Sequence, residues 1–376
     1  MRLLLTTDAI GGVWDYSMTL ARALEAEGHA LLLAIIGSPS DDQLASLPER
    51  IAFECRDHAL EWLLVPTPEL ARTAEWISGL ATGWGAEVVH LNQMAYTGLA
   101  SFPAPTLVAV HSDACSWFTE VRESGPPSEW GEYVEQVRAG LAGANVVVAP
   151  TRYQADLVGR HFGRTPDRVI HNGAPPPTVA PRSARETMLV TAGRAWDEAK
   201  GIGVLDRAVA LLGPTAPPAY LLGDLEGPNG AAFQPVALRA HGRVAGDEAR
   251  RWMSRASIYV APSLYEPFGL SPLEAALRGA ALVLSDIGSF RELWDGCARF
   301  FTKGSAPELA EALSTLLAEP GQIATLAHRA RERALARYTA DRFVGEYLSL
   351  YSAMRRFGQR RNLLSVPTSA GSADPR

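Results

Sequence analysis

The stretch Ala261–Leu293 reads APSLYEPFGLSPLEAALRGAALVLSDIGSFREL, and the order of elements in it decides the fold. Just ahead of it, Ser257-Ile258-Tyr259-Val260 is short, apolar and β-branched, as a buried strand should be. Ser271-Pro272-Leu273-Glu274 opens a helix, and Ala281-Leu282-Val283-Leu284 is the next strand. Strand, loop, helix and strand in that order make the parallel α/β unit. The helix start gathers unbonded backbone N–H groups at the positive end of the helix dipole, which suits a phosphate. Glu266 and Glu274 flank that point, eight residues apart. Ser271-x-x-Glu274 also fits a capping box, with Ser271 as N-cap, Pro272 first in the helix and Glu274 third, and a capping glutamate needs no ligand. Both readings of Glu274 stay open. Glu266, in the loop before Phe268-Gly269-Leu270, has no such alternative.

The run Pro262-Ser263, Glu266-Pro267-Phe268-Gly269-Leu270, Leu273-Glu274-Ala275, Gly279 and Glu292-Leu293 resembles the E-x7-E signature of the family 4 glycosyltransferases. These are retaining, metal-independent hexosyltransferases of GT-B fold that use nucleotide sugars. The resemblance implies that Glu266 contacts hydroxyls of the donor sugar and Glu274 the ribose. Backbone at Phe268, Gly269, Leu270 and Ser271 would hold sugar and phosphate.

Composition agrees with an enzyme of this kind and excludes several others. The chain has 376 residues, about right for two domains, with 47% hydrophobic and 20% charged residues. A formal net charge of −6 argues against general nucleic-acid affinity. Three cysteines, Cys55, Cys115 and Cys297, are too few and too scattered for a disulfide framework or a zinc site, which fits a reducing cytoplasm. The sequence begins on a strand with no signal-peptide core, and no apolar run reaches the length of a membrane helix.

Arg2–Thr7 is a buried-type strand, Asp8 to Gly12 a turn, Val13–Gly28 a helix and Ala30–Ile36 a second strand, a Rossmann-type opening. The G-x-G-x-x-G fingerprint of dinucleotide enzymes is missing, which weakens a nicotinamide oxidoreductase. Gly11 and Gly12 alone read as a βα turn, whereas the resemblance implies that this pair approaches the donor phosphate. Further strands are expected at 87–91, 106–110, 146–149 and 168–170, with helices at 68–82 and 153–162. The insert 117–136, with its Trp, Glu and Pro residues, is expected to be irregular. His111 ends a strand at the carboxyl edge of a parallel sheet, where ligands bind. The resemblance implies a donor-sugar contact for it, with Ser112 and Asp113 as weaker candidates. His171-Asn172-Gly173 closes the first half, and Ala174–Pro181 is a proline-rich linker.

The second half opens on strand 188–191, followed by Gly193-Arg194…Lys200-Gly201 and a helix at 202–212. Arg194 and Lys200, six apart across a strand-to-helix loop, can converge on one anion. The resemblance assigns them the diphosphate, although Trp196 or Ala199 sits where the family usually has Pro or Glu-Lys. It also implies that backbone at Arg243 and Val244 holds the nucleobase. After strands at 219–222 and 298–301 and helices at 247–254, 307–318 and 321–337, a last helix at 340–357 carries Phe343, Tyr347, Leu350, Tyr351 and Met354 on one side. It is placed to cross back onto the first domain. Residues 358–376 are expected to be a disordered tail. Arg355, Arg356, Arg360 and Arg361 make a solvated basic cluster or, at most, a peripheral membrane contact.

The expected architecture is therefore two Rossmann-like α/β domains facing across a cleft. Residues 1–173, with the crossing helix, take the acceptor and 182–339 take the donor. The expected activity is transfer of a sugar from a UDP- or GDP-linked donor to a small-molecule, saccharide or lipid-linked acceptor. A nucleotide-sugar epimerase or hydrolase and a non-catalytic binding protein are the alternatives. His111, Arg194, Lys200 and Glu266 are expected to carry the reaction. No metal is expected, because there is no Asp-x-Asp motif. Asp224-Leu225-Glu226 is its nearest mimic, and two cations already face the diphosphate.

Overall fold

The computed structural model describes residues 1–9, 11–178, 185–227 and 230–364. Two parallel sheets organise it. The first contains β1 (Arg2–Asp8), β2 (Ala30–Ile36), β3 (Ala52–Arg56), β4 (Val88–Leu91), β5 (Thr106–Ala109), β6 (Val146–Ala149) and β7 (Arg168–Val169), in the order β3-β2-β1-β4-β5-β6-β7. The second contains β8 (Glu186–Ala192), β9 (Ala219–Leu222), β10 (Arg239–Ala240), β11 (Ala256–Ala261), β12 (Ala281–Ser285) and β13 (Arg299–Phe301), in the order β10-β9-β8-β11-β12-β13. Central strands such as β1, β2 and β12 are apolar runs because helices cover both sheet faces. Strand order reverses at β1, between β2 and β4, and at β8, between β9 and β11. A crevice opens beyond the carboxyl ends of the strands at such a reversal. Gly11-Gly12 follows β1 and Arg194 follows β8, so each domain presents its loop at its own crevice.

The helix Ala340–Leu364 returns to the first domain. Phe343, Val344, Tyr347, Tyr351 and Met354 are buried in one cluster with Leu3, Leu5, Tyr16 and Ile35. Side chains of that size contribute roughly 1.5–3 kcal/mol each when buried. The chain reaches this helix by passing Gly173, where a Cβ would come within 2.3 Å of the Thr339 carbonyl.

Several elements differ from the reading of the sequence. The crossing helix continues through Leu364, so 358–364 is helical, and the rest of the expected tail, 365–376, lies outside the described residues. Within the linker, 179–181 also lie outside them. Arg355 Nε is 2.8 Å from Glu87 Oε1, so that member of the basic cluster is tied to the first domain. The insert is not irregular. Helix Ala114–Arg122, a 3-10 turn at Ser128–Trp130 and helix Gly131–Gly143 fill it. Trp117, Phe118, Trp130 and Tyr133 form an edge-to-face ladder with centroids 5.1–5.5 Å apart, which pins the insert to its own core. Strands β3 and β10 gave no signal because they are exposed edge strands without an apolar run.

Candidate active site

The two crevices meet at the Gly11-Gly12 loop. Gly11 has φ 76°, which a side chain rarely adopts, and a Cβ on it would lie 3.1 Å from Arg194 Nη1. A Cβ on Gly12 would lie 3.7 Å from Leu270 Cδ1. The loop after β1 therefore touches both the loop after β8 and the helix after β11. Gly201, at φ 61°, makes a second close approach, since a Cβ there would fall 2.0 Å from the Pro262 carbonyl. With Leu264 N donating to the Ala199 carbonyl at 2.7 Å, the Pro262–Gly269 loop is laid against the turn that carries Lys200.

That packing pairs the charges. Lys200 Nζ lies 2.6 Å from Glu266 Oε2, and Arg194 Nη2 lies 2.8 Å from Asp197 Oδ2. The two cations expected to converge on one anion are thus each matched by a carboxylate, and the local charge is near zero rather than plus two. Burial pushes the Asp197 carboxyl up, but Arg194 and Lys200 outweigh it and hold it below the usual carboxylate range.

Helix Leu270–Leu277 begins from Gly269, at φ 89°, with no side-chain cap. Ser271 lies inside the helix, so the capping-box reading of Glu274 is overturned. Glu274 Oε1 instead faces Arg250 Nη1 at 3.4 Å. Both line a cavity of about 690 Å³ that spans the domains, with Asp15, Thr19, Leu270 and Ser271. Desolvation in this cavity, then the Glu274 charge, raises the Asp15 carboxyl to about 6, which leaves it ionised near pH 7. Phe268 is 3% exposed and packs on His171 and Tyr338, so only its backbone is available to a ligand. Arg243 is exposed and Val244 packs against the second core, in the loop before helix Gly246–Arg255.

His111 belongs to a neutral network on the first domain. Its Nε2 lies 2.8 Å from Asn92 Oδ1. The Asn92 amide nitrogen donates to the Thr6 carbonyl at 2.6 Å, which fixes which way the amide points. His111 Nε2 must therefore carry the proton and donate, leaving Nδ1 as the acceptor. Burial lowers His111 to about 4, so the ring is neutral near pH 7. Tyr16 packs edge-on to it at 4.6 Å. Asp113, by contrast, caps the next helix, accepting from Ser116 N at 2.7 Å and from Gln154 at 3.0 Å. It is a structural residue.

A model of the family described as Glycosyltransferase Family 4 matches residues 10–176, and one described as Glycosyl transferases group 1 matches residues 186–319. The chain belongs to the family 4 glycosyltransferases. This glycosyltransferase is 26% identical over 294 residues to MMP alpha-(1->4)-mannosyltransferase of Mycolicibacterium hassiacum, covering 70% of each chain. Among solved structures it is similar to sucrose-phosphate synthase from Thermosynechococcus elongatus, with a TM-score of 0.76 and 18% identity over 97% of this chain and 100% of that one. It is similar also to HepE from Anabaena in complex with UDP-glucose, with a TM-score of 0.75 and 19% identity over 94% and 100%. These likenesses show the GT-B fold.

In the glycosyltransferase the cleft thus brings together Gly11, Gly12, Arg194, Lys200, Glu266, Leu270, Ser271 and Glu274. His111 stands at the end of the first sheet, and Arg243 and Val244 lie on the loop before helix Gly246–Arg255 of the second domain. Four further residues escaped the sequence reading: Asp15, Asn92, Asp197 and Arg250. Asn92 follows the carboxyl end of β4, so the crevice rule could have found it. Asp15 and Arg250 lie on ordinary amphipathic helices, where no local pattern marks them.

Proposed function

We propose that this glycosyltransferase is a retaining, metal-independent enzyme that takes a hexose from a nucleoside diphosphate sugar, UDP- or GDP-linked. The observation that carries the reading is the meeting of Gly11-Gly12, Arg194, Lys200, Glu266 and the free start of helix Leu270–Leu277 at one place between two crevices. Breaking the sugar–phosphate bond puts negative charge on the leaving diphosphate and positive charge on the anomeric carbon. Arg194, Lys200 and the helix-start amides answer the first. Glu266, with one carboxylate oxygen on Lys200, keeps the other for sugar hydroxyls. Glu274 faces the cavity where a ribose diol would sit. Neutral His111 offers Nδ1 as an acceptor. The acceptor attacks from the face the phosphate leaves, and that phosphate takes the acceptor's proton, so no protein nucleophile is required.

Metal independence rests on this set of donors for the diphosphate. The acceptor is a saccharide, a small molecule or a lipid-linked sugar. No helix among the described residues is long and apolar enough to cross a membrane, so contact with a lipid-linked acceptor would be peripheral. Free Cys55, Cys115 and Cys297 fit a reducing cytoplasm. The test is a panel of UDP- and GDP-sugars scored by thermal shift and then by transfer with excess EDTA, with the product's anomeric configuration read by NMR. Transfer with retention in EDTA is expected. Loss on chelation with rescue by Mg²⁺, inversion, or donor breakdown with no acceptor product would each overturn the corresponding part.

A further inference from the structure

Arg194 is not a free charge. Its Nη2 is on Asp197, its Nη1 lies beneath Gly11, and its Nε is buried with no partner. Asp197 is the fixed member of the pair. Its Oδ1 accepts from Ala199 N at 3.0 Å, closing the turn that carries Lys200, and Trp117 Nε1 approaches from the first domain at 3.5 Å. The Asp197 side chain is 12% exposed and that of Arg194 is 34% exposed. A diphosphate entering beside Arg194 therefore meets a guanidinium already bound to a firmly held carboxylate.

We propose that Asp197 is a positioning residue that competes with the diphosphate for Arg194 and so limits how tightly the spent nucleoside diphosphate is held after transfer. The inference rests on the nucleotide-sugar reading above. It follows from charge. A donor sugar masks one phosphate oxygen, and a free nucleoside diphosphate does not, so the product carries one more negative charge than the donor's diphosphate. Every cation in the site then favours product over donor. A fixed carboxylate acts in the opposite sense, because its repulsion grows with the ligand's charge. Asp197 also gives Arg194 a place to return to when the diphosphate leaves. The residue lies one turn from both cations and belongs to this loop's own sequence, Trp196-Asp197-Glu198-Ala199.

The test is calorimetric titration of UDP and GDP into the full chain, its Asp197→Asn variant and its Asp197→Glu variant. Asn keeps an acceptor for Ala199 N and removes the charge, so whichever nucleotide binds the parent should bind Asp197→Asn about tenfold more tightly. Asp197→Glu should stay within about twofold of the parent. In turnover, kcat and the donor KM should fall together in Asp197→Asn, with stronger inhibition by product. Asp197→Ser, which keeps a hydroxyl for Ala199 N, repeats the test should Asn melt early. Unchanged or weaker binding in the neutral variants would show that Asp197 only shapes the loop, and would overturn the proposal. If neither UDP nor GDP binds the parent, the nucleotide reading itself falls, and the proposal with it.

Discussion

The two walls of the cleft are built from different chemistry. The second domain meets it with ion pairs, Arg194–Asp197, Lys200–Glu266 and Arg250–Glu274. The first meets it with His111, neutral near pH 7, and with Asp15, Thr19 and Arg22. His111 is lowered to about 4 by burial, Asp15 is raised to about 6, and in the interior of the same domain burial lowers His90 to about 3 and raises Glu61 to about 7. Each of those shifts favours the uncharged form of its group. Under the proposed function, the wall of ion pairs would take the nucleotide and the anionic leaving group, and the wall that carries neutral His111 would shape the space where sugar and acceptor meet.

The sharpest break of this comparison is Glu266→Gln. Replacing the carboxylate should lower transfer by at least about a hundredfold, roughly 2.7 kcal/mol of barrier, while nucleoside diphosphate affinity does not fall. Equal loss of both in kinetics and calorimetry would make Glu266 part of the nucleotide site or of the fold.

Next in size is an effect of acid on two buried groups of the first domain. His90, with its folded value below its ordinary 6.5, contributes stability that is present above 6.5 and lost as pH falls toward 3. Glu61 works the other way. Its folded value of about 7 lies above its ordinary 4.5, so its stability is present below 4.5 and lost as pH rises through 7. The two offset one another between pH 6.5 and 5. Glu61→Gln removes the second, so this variant should lose about 2 kcal/mol more than the parent on acidification across that range. Parallel curves of melting temperature against pH would show that Glu61 is ionised in the folded protein. A smaller effect sharpens the charged wall: Arg194→Ala or Lys200→Ala should each lower transfer by at least about tenfold, about 1.4 kcal/mol, with little change in melting temperature.

The same contrast explains what could be read from the sequence. The charged wall is written in short segments. Arg194 and Lys200 are six apart, and Glu266 and Glu274 share one strand–loop–helix unit, so motif and spacing pointed to them. The first domain's side is assembled over long distances. Asn92 reaches Thr6 86 positions away, and His90 Nδ1 meets Tyr351 261 positions away at 2.6 Å. No local pattern encodes such partners. Only His111 and the Gly11-Gly12 loop were visible there, because strand ends in a parallel sheet are where ligands bind. The capping reading of Glu274 failed for a related reason. Gly269 turns the chain into the helix two residues before Ser271, so Ser271 lies within the first turn and cannot be its cap. Arg194 and Lys200 stood out in the sequence, but their carboxylate partners did not, and the contact of Lys200 with Glu266 spans 66 positions.

The most direct test of the division between the walls is calorimetric titration of nucleoside diphosphate into Glu274→Ala and His111→Asn, with transfer measured on both. Glu274→Ala should weaken nucleotide binding by about tenfold or more with no loss of melting temperature, since it caps nothing. His111→Asn should leave nucleotide binding within about twofold and still lower transfer about tenfold. Nucleotide affinity that is unchanged in Glu274→Ala and lost in His111→Asn would contradict the assignment of the two walls.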